Sequence, residues 1–298
     1  MGCSSEKTKD EMKTDNNKFP VCRSSLPFTG EIDSMVAFDS KNIVLGAKDE
    51  LNLLDLNTNT ISSISKDVTE RINCLIKLPD GKIVSGGQDS NIKIWDIKQK
   101  KCVCILKGHT SMVWDIKILS NNRLISGCDD NTSKIWNLKD KTNQTLFKSK
   151  RHISSIAVLK NNKVILAEGK NLLLFNLDTK DQESCLILTV WTLKELKNGD
   201  VAAGLGDGNL YILEITDEIN IKTKFTQGHK ATINTIIELA NGKLVTSSDE
   251  NDLILWDRND PESIYLIKGH TDIVTSLCLI EGNKFATASR DNTIKIWE

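Results

Sequence analysis

The sequence predicts an all-β chain folded as one closed ring of seven four-stranded antiparallel sheets, and two observations carry that expectation. A unit recurs. Gly269-His270, Thr287-Ala-Ser-Arg-Asp291 and Lys295-Ile-Trp297 are matched by Gly108-His109, Ser126-Gly-Cys-Asp-Asp130 and Lys134-Ile-Trp136, and again by Ser85-Gly-Gly-Gln-Asp89 with Lys93-Ile-Trp95. The period is also regular. The residues that end each unit, Leu54, Trp95, Trp136, Phe175, Leu213, Trp256 and Trp297, are separated by 41, 41, 39, 38, 43 and 41 residues. A fixed period of this length marks a repeat architecture, in which each unit buries its faces against its neighbours.

Each unit divides into short strands. In the second, residues 72–78 alternate as an inner strand, and Pro79-Asp80-Gly81 is the turn after it. Residues 83–85 then lead to a Gly86-Gly87 turn, and residues 92–95 form the third strand. Asn121-Asn122, Asn161-Asn162, Asn198-Gly199, Asn241-Gly242 and Gly282-Asn283 fall at the matching hairpin turn of other units. The chain stops at the third strand of the last unit, where other units continue into a fourth such as residues 101–107. The β-compatible run 19–26 is therefore expected to supply the missing strand and close the ring, which removes two open sheet edges.

Units ending in Trp and opening with Gly-His at this period resemble the WD-repeat β-propeller family, with seven blades over residues 19–298 and motifs eroded in blades one, four and five. The resemblance implies a hydrogen-bonded chain of His, Ser or Thr, Asp and Trp in each intact blade. Blade three supplies His109, Ser126, Asp130 and Trp136, and blade seven supplies His270, Thr287, Asp291 and Trp297. Blade six has His229, Thr246 and Trp256 with Glu250 at the Asp position, and blade two keeps Ser85, Asp89 and Trp95 without a His. Ser, His and Asp together invite a hydrolase reading, but their repetition beside a Trp favours a structural role. Gly204-Leu-Gly-Asp-Gly208 joins strand to strand, whereas a phosphate cradle needs a helix N-terminus.

The resemblance also implies contact residues around the upper mouth of a central channel. One set is Asp33, Asn73, Trp114, Ser154, Trp191, Asn234 and Thr275; flanking sets include Arg71, Met112 and His152, and Gln88, Asp129, Asp249 and Arg290. Met112, Trp114, His152 and Trp191 would form an aromatic and apolar arc over blades three to five. Aromatic anchors with an Arg are what interface hot spots are made of; the plainer alternative is that the tryptophans plug the channel. The expected function is a non-catalytic scaffold or adaptor for protein or peptide partners. A phosphopeptide-reading substrate receptor would want several Arg at the mouth, where only Arg71 and Arg290 qualify. An enzyme would need convergent acid, base or metal groups there, which the set lacks. No cofactor, metal or small-molecule substrate is implied.

With 39 basic and 40 acidic residues the net charge is -1, which gives no general attraction to nucleic acid. The eight cysteines contain no CxxC pair and read as reduced thiols in a cytoplasmic protein. On the lower face, Lys98, Lys100, Lys101, Lys139 and Lys141 cluster under blades two and three, with Asp217, Glu218, Asp260 and Glu262 under five and six. Residues 1–18 lack periodic apolar positions and read as a disordered tail. Its start resembles an acylation signal, with Gly2 as the myristoylated amine and Cys3 placed for palmitate, although Glu6 stands where the signal wants Ser or Thr. The alternative is an ordinary polar tail. One myristoyl chain binds a membrane only marginally and the tail has no net positive charge, so anchoring at the cytosolic face would require Cys3 as well.

Overall fold

Alternating inner-strand sequences with a polar turn after each leave one solution for their apolar faces, which is stacking sheet on sheet. The computed structural model describes residues 20–298 apart from Asp49, Asp67, Thr69 and Glu262. Within them lie 28 strands, numbered in chain order, in seven four-stranded antiparallel sheets. The inner strands are β2 (Ile32–Ala37), β6 (Ile72–Lys77), β10 (Val113–Leu119), β14 (Ile153–Val158), β18 (Val190–Glu195), β22 (Ile233–Glu238) and β26 (Val274–Glu281). Each touches the next, and β26 touches β2, so the ring is closed. Apolar clusters lie between adjacent blades, as where Trp136 of blade three packs with Ile92 and Ile94 of blade two.

Closure depends on β1 (Cys22–Pro27), which pairs with β28 (Thr293–Trp297) as the outer strand of blade seven. The register runs from Cys22 opposite Trp297 to Pro27 opposite Thr293. Backbone bonds between Val21 and Glu298, and from Phe28 N–H to the Asn292 carbonyl, extend it at both ends. The strand thus lies slightly later than the expected run 19–26. Phe19, the tail with Gly2 and Cys3, and Glu262 lie outside the described residues.

The expected hairpin turns have the left-handed backbone their residues favour: φ is positive at Gly81, Asn121, Asn122, Asn162, Gly199, Gly242 and Gly282. One expectation is corrected. Gly86 and Gly87 end the strand β7 (Ile83–Gly87) and are not a turn. They are glycines because the surroundings press close: a Cβ on Gly87 would lie 1.9 Å from the Arg71 carbonyl oxygen, and one on Gly86 2.7 Å from the Ile116 side chain.

Candidate functional site

Every inner strand carries a β-bulge at the same place. The pairing with the second strand slips between Ile32 and Ser34, Ile72 and Cys74, Val113 and Asp115, Ile153 and Ser155, Val190 and Thr192, Ile233 and Thr235, and Val274 and Ser276. The skipped residues are Asp33, Asn73, Trp114, Ser154, Trp191, Asn234 and Thr275, all of which line one cavity of about 460 Å³ at the channel mouth. A bulge leaves its extra residue without a cross-strand partner and re-aims its side chain. Here it is aimed at the ring axis.

In several blades these polar side chains fasten the ring. Asn73 donates to the Val113 carbonyl (3.1 Å), Ser154 to that of Val190 (3.4 Å) and Thr275 to that of Ile32 (2.5 Å), each across to the next blade. One residue further on, Asp115 accepts from Ile156 N–H (2.8 Å), while Ser155 and Ser276 accept from Leu193 N–H and Met35 N–H (3.0 Å each). Trp114 and Trp191 occupy the fastening position in blades three and five, and among the described residues neither bonds a carbonyl of the next blade. Their rings instead meet edge to face with centroids 6.0 Å apart, and the His152 ring stands 6.3 Å from Trp191. Trp191 is 39% exposed, whereas Trp95, Trp136, Trp256 and Trp297 are buried.

The opposite side of the mouth is ionic. Arg71 donates through Nε to Asp33 (3.0 Å), through Nη2 to Glu31 (2.8 Å), and makes a further short Nη2 bond to Asp33. The Asp33 bond and the neighbouring carboxylates raise the guanidinium pKa against the opposing effect of burial. Arg290 lies 3.5 Å from Glu31. Of the other expected mouth residues, Met112, Gln88 and Asp249 line the cavity, and Asp129 Oδ1 lies 3.5 Å from Trp114 Nε1. The expected arc is therefore assembled in space, with Arg71 and Arg290 already engaged by carboxylates.

The blade motifs form continuous hydrogen-bond chains. In blade three Trp136 Nε1–H donates to Ser126 Oγ (2.7 Å), the hydroxyl meets His109 Nε2 (2.7 Å), and His109 Nδ1 meets Asp130 (2.8 Å). The Asp130 carboxylate can only accept, so Nδ1 carries the hydrogen; in the neutral ring Nε2 then accepts the hydroxyl hydrogen of Ser126, whose oxygen accepts from the indole. Burial lowers the His109 pKa despite Asp130 and so favours that neutral form. Blade seven repeats the chain through Trp297, Thr287, His270 and Asp291 at 2.9, 2.6 and 2.7 Å. In blade six the longer Glu250 still reaches His229 Nδ1 (3.1 Å), and Ser248 Oγ adds a contact to the same nitrogen (2.9 Å). Blade two retains the bond from Trp95 to Ser85 (2.8 Å), and Asp89 pairs with Lys93 in place of a histidine.

Ser126 is fully buried beneath Trp136, so the Ser-His-Asp set in blade three cannot meet a substrate. His109, Cys128 and Asp130 are metal-ligand types with donor atoms within 4.8 Å of one another. Burial pushes the Cys128 thiol up to about 12, and its sulfur contacts the Ser111 carbonyl and Asp130 N–H. Ser289 makes the equivalent two bonds in blade seven, to Asp272 and from Asp291, so Cys128 is part of the blade framework. Sequence reasoning missed Asp115 as a fastening residue and the cations of the blade-four rim. The run Lys148-Ser-Lys-Arg-His152 was the available signal for the rim.

Comparison with known proteins agrees with this geometry. The model of the WD domain, G-beta repeat, matches residues 59–96, 100–137 and 261–298. Cell division control protein 4 of Saccharomyces cerevisiae is 30% identical over 235 residues, covering 78% of this chain and 28% of that protein. WD repeat-containing protein 37 of Homo sapiens is 30% identical over 40% of this chain and 24% of its own length. The chain thus spans about a quarter of these curated relatives. A p21-activated protein kinase-interacting protein 1-like from Danio rerio is 25% identical, over 89% of this chain and 63% of that protein. The WD40 β-propeller domain of Doa1 superposes with a TM-score of 0.82 at 17% identity, covering 94% of this chain and 97% of that one, a likeness of fold.

Proposed function

The chain belongs to the WD-repeat β-propeller family, and from that premise we propose that it is a non-catalytic scaffold or adaptor that binds protein or peptide partners at the channel mouth. Fold alone does not fix function, so the reading rests on the site. The observation that carries it is the exchange of a ring-fastening side chain for tryptophan at Trp114 and Trp191, which puts exposed aromatic surface at a cavity without filling a core. Met112 and His152 extend that surface.

The engagement of Arg71 and Arg290 by Glu31 and Asp33 argues against these arginines as phosphate receptors. The zebrafish relative's name describes interaction with a protein kinase, a partner of the same broad class. For this chain the partner's identity follows from experiment. Affinity capture from the native cell with wild type and the Trp114→Ala/Trp191→Ala pair, each checked for folding by circular dichroism, should lose discrete partners with the pair. Retention of every partner by the folded variant would make the two tryptophans channel packing and refute the site.

Attachment to the cytosolic face of a membrane through Gly2 and Cys3 is part of the same proposal. The supporting geometry is that β1, the outer strand of the last blade, begins with Cys22 opposite Trp297, so its N-terminal end lies at the face opposite the mouth. Metabolic labelling with myristate and palmitate analogues, with Gly2→Ala as control, tests it. An unlabelled wild-type protein in a soluble fraction would remove the tether.

A further inference from the structure

Blade four departs furthest from the repeat at its upper rim. Relative to the bulged inner-strand residue, Ser149 stands where His109 stands in blade three, Glu168 where Cys128 stands, and Lys170 where Asp130 stands. The His-Asp pair is gone, and a different network holds the loop. Glu168, only 7% exposed, accepts from the Ser149 hydroxyl and from Asn171 Nδ2 (2.8 Å). Ser149 Oγ also accepts from Arg151 N–H (3.0 Å), and Ser149 N–H donates to the Asn131 carbonyl (2.8 Å). At Gly169, with φ of +56°, a Cβ would lie 2.3 Å from Arg151 Cδ, so the Arg151 stem lies across that turn.

The two loops joined by this network display Lys148, Lys150, Arg151 and Lys170, all exposed. Among the described residues no carboxylate forms an ion pair with any of them. The acids nearby are engaged elsewhere. Glu168 is held as described, and Asp130 takes His109, Thr110 and Thr132. Asp129 faces Trp114, and Asp249 accepts from Asn234 (2.8 Å). Arg71 and Arg290 across the mouth are neutralised. On blade four, therefore, the exposed and unpaired charge of the upper rim is positive. It adjoins the aromatic arc, because His152 follows Arg151 and packs on Trp191.

We propose that the blade-four rim docks an acidic segment of the partner peptide, a run of Asp and Glu side chains along Lys148, Lys150, Arg151 and Lys170, while an apolar or aromatic residue of the same peptide enters beside Trp114 and Trp191. This rests on the mouth being the binding surface. Three lysines and one arginine spread over two loops suit a row of carboxylates. A single phosphate would be held better by converging arginine forks. Because hydrogen bonds already fix the loop backbone, binding there has only side chains left to order.

The test selects a random peptide library on the full-length protein, on Lys150→Glu/Arg151→Glu, and on Trp114→Ala/Trp191→Ala, with buried-tryptophan emission as the folding control. Wild type should enrich peptides pairing an aromatic or apolar residue with several Asp or Glu. The strongest of them should bind about tenfold or more weakly to the charge-reversed variant and weaken with added salt. Enrichment without acidic residues, or equal binding by the charge-reversed variant, overturns the proposal. If such peptides still depend on the tryptophans, the mouth remains the binding surface and only its charge preference falls. If the tryptophan pair enriches the same peptides as wild type, both fall. Synthetic Glu, Gln and phosphoserine versions of the best peptide complete the set: the Glu form should exceed Gln, and much tighter binding of phosphoserine would overturn the assignment to carboxylates.

Discussion

Replacing Asp130 by Asn should measure what a blade-three hydrogen-bond chain contributes. The two carboxylate oxygens receive four donors. Oδ2 takes His109 Nδ1–H at 2.8 Å and Thr110 N–H at 3.1 Å, and Oδ1 takes the N–H and hydroxyl of Thr132 at 3.0 and 2.6 Å. An amide keeps one acceptor oxygen and turns its NH₂ toward two of those donors. Burial by itself would raise the carboxyl pKa, but the bonds from Thr132, His109 and Thr110 outweigh it and bring Asp130 from 3.8 to about 2. At about 1.36 kcal/mol per tenfold change in proton affinity, that difference is on the order of 2 kcal/mol. The side chain is 8% exposed, so solvent screening takes little from it.

The sign follows from which state binds the proton first. The folded pKa is depressed, so the unfolded chain protonates first; the contribution is complete above 3.8 and is lost as the pH falls toward about 2. Urea unfolding between neutral and strongly acid pH, followed by tryptophan emission, reads this directly. Asp130→Asn should be less stable by about 2 kcal/mol at neutral pH and should lose less than wild type in the acid range. Asp291, likewise brought to about 2 against burial by Thr293, Thr271 and His270, leaves the variant a remaining acid step of similar size. An unchanged midpoint at neutral pH, or an undiminished acid step, would refute the reasoning.

Three further outcomes are expected. Removing residues 1–28 takes away the pairing of β1 with β28 and the packing of Leu26 and Phe28, a loss on the order of 5 kcal/mol; size-exclusion chromatography should show association through the exposed edge, and a stable monomer with wild-type melting would contradict ring closure by this strand. Gly228→Ala would put a Cβ 2.0 Å from the Trp256 ring, so it should cost about 1 to 3 kcal/mol in thermal or urea unfolding; an unchanged midpoint would show that Trp256 yields freely. A thiol reagent at mildly alkaline pH should reach exposed Cys22 and Cys185 before Cys74, Cys128 and Cys278. Burial pushes all three buried thiols up, the latter two to about 12; fast labelling of any of them by mass spectrometry would argue that the blade opens.

The sequence by itself determined the ring. Units of one period, four of the seven ended by Trp, bury their faces against copies of themselves, so seven sheets and a closing strand were legible, and the family resemblance made the bonded quartets at His109 and His270 legible too. Asn and Gly at the hairpin turns were legible for the same local reason, because the left-handed backbone there excludes most other residues. Glu250 could not be read with equal ease, since whether a longer carboxylate still meets His229 depends on where Ser248 stands.

What only the tertiary structure decided was direction and charge pairing. Whether Trp114 and Trp191 face core or channel turns on a one-residue bulge, and a slip of one residue reverses every side chain of a strand. Gly86 and Gly87 read as a turn because nothing local reveals that a neighbouring blade and the Arg71 carbonyl press on them. Arg71 and Lys150 are both single cations in the sequence. Folding places Glu31 and Asp33 from the adjacent blade against the first and no described carboxylate against the second, a difference set by residues some 40 positions apart.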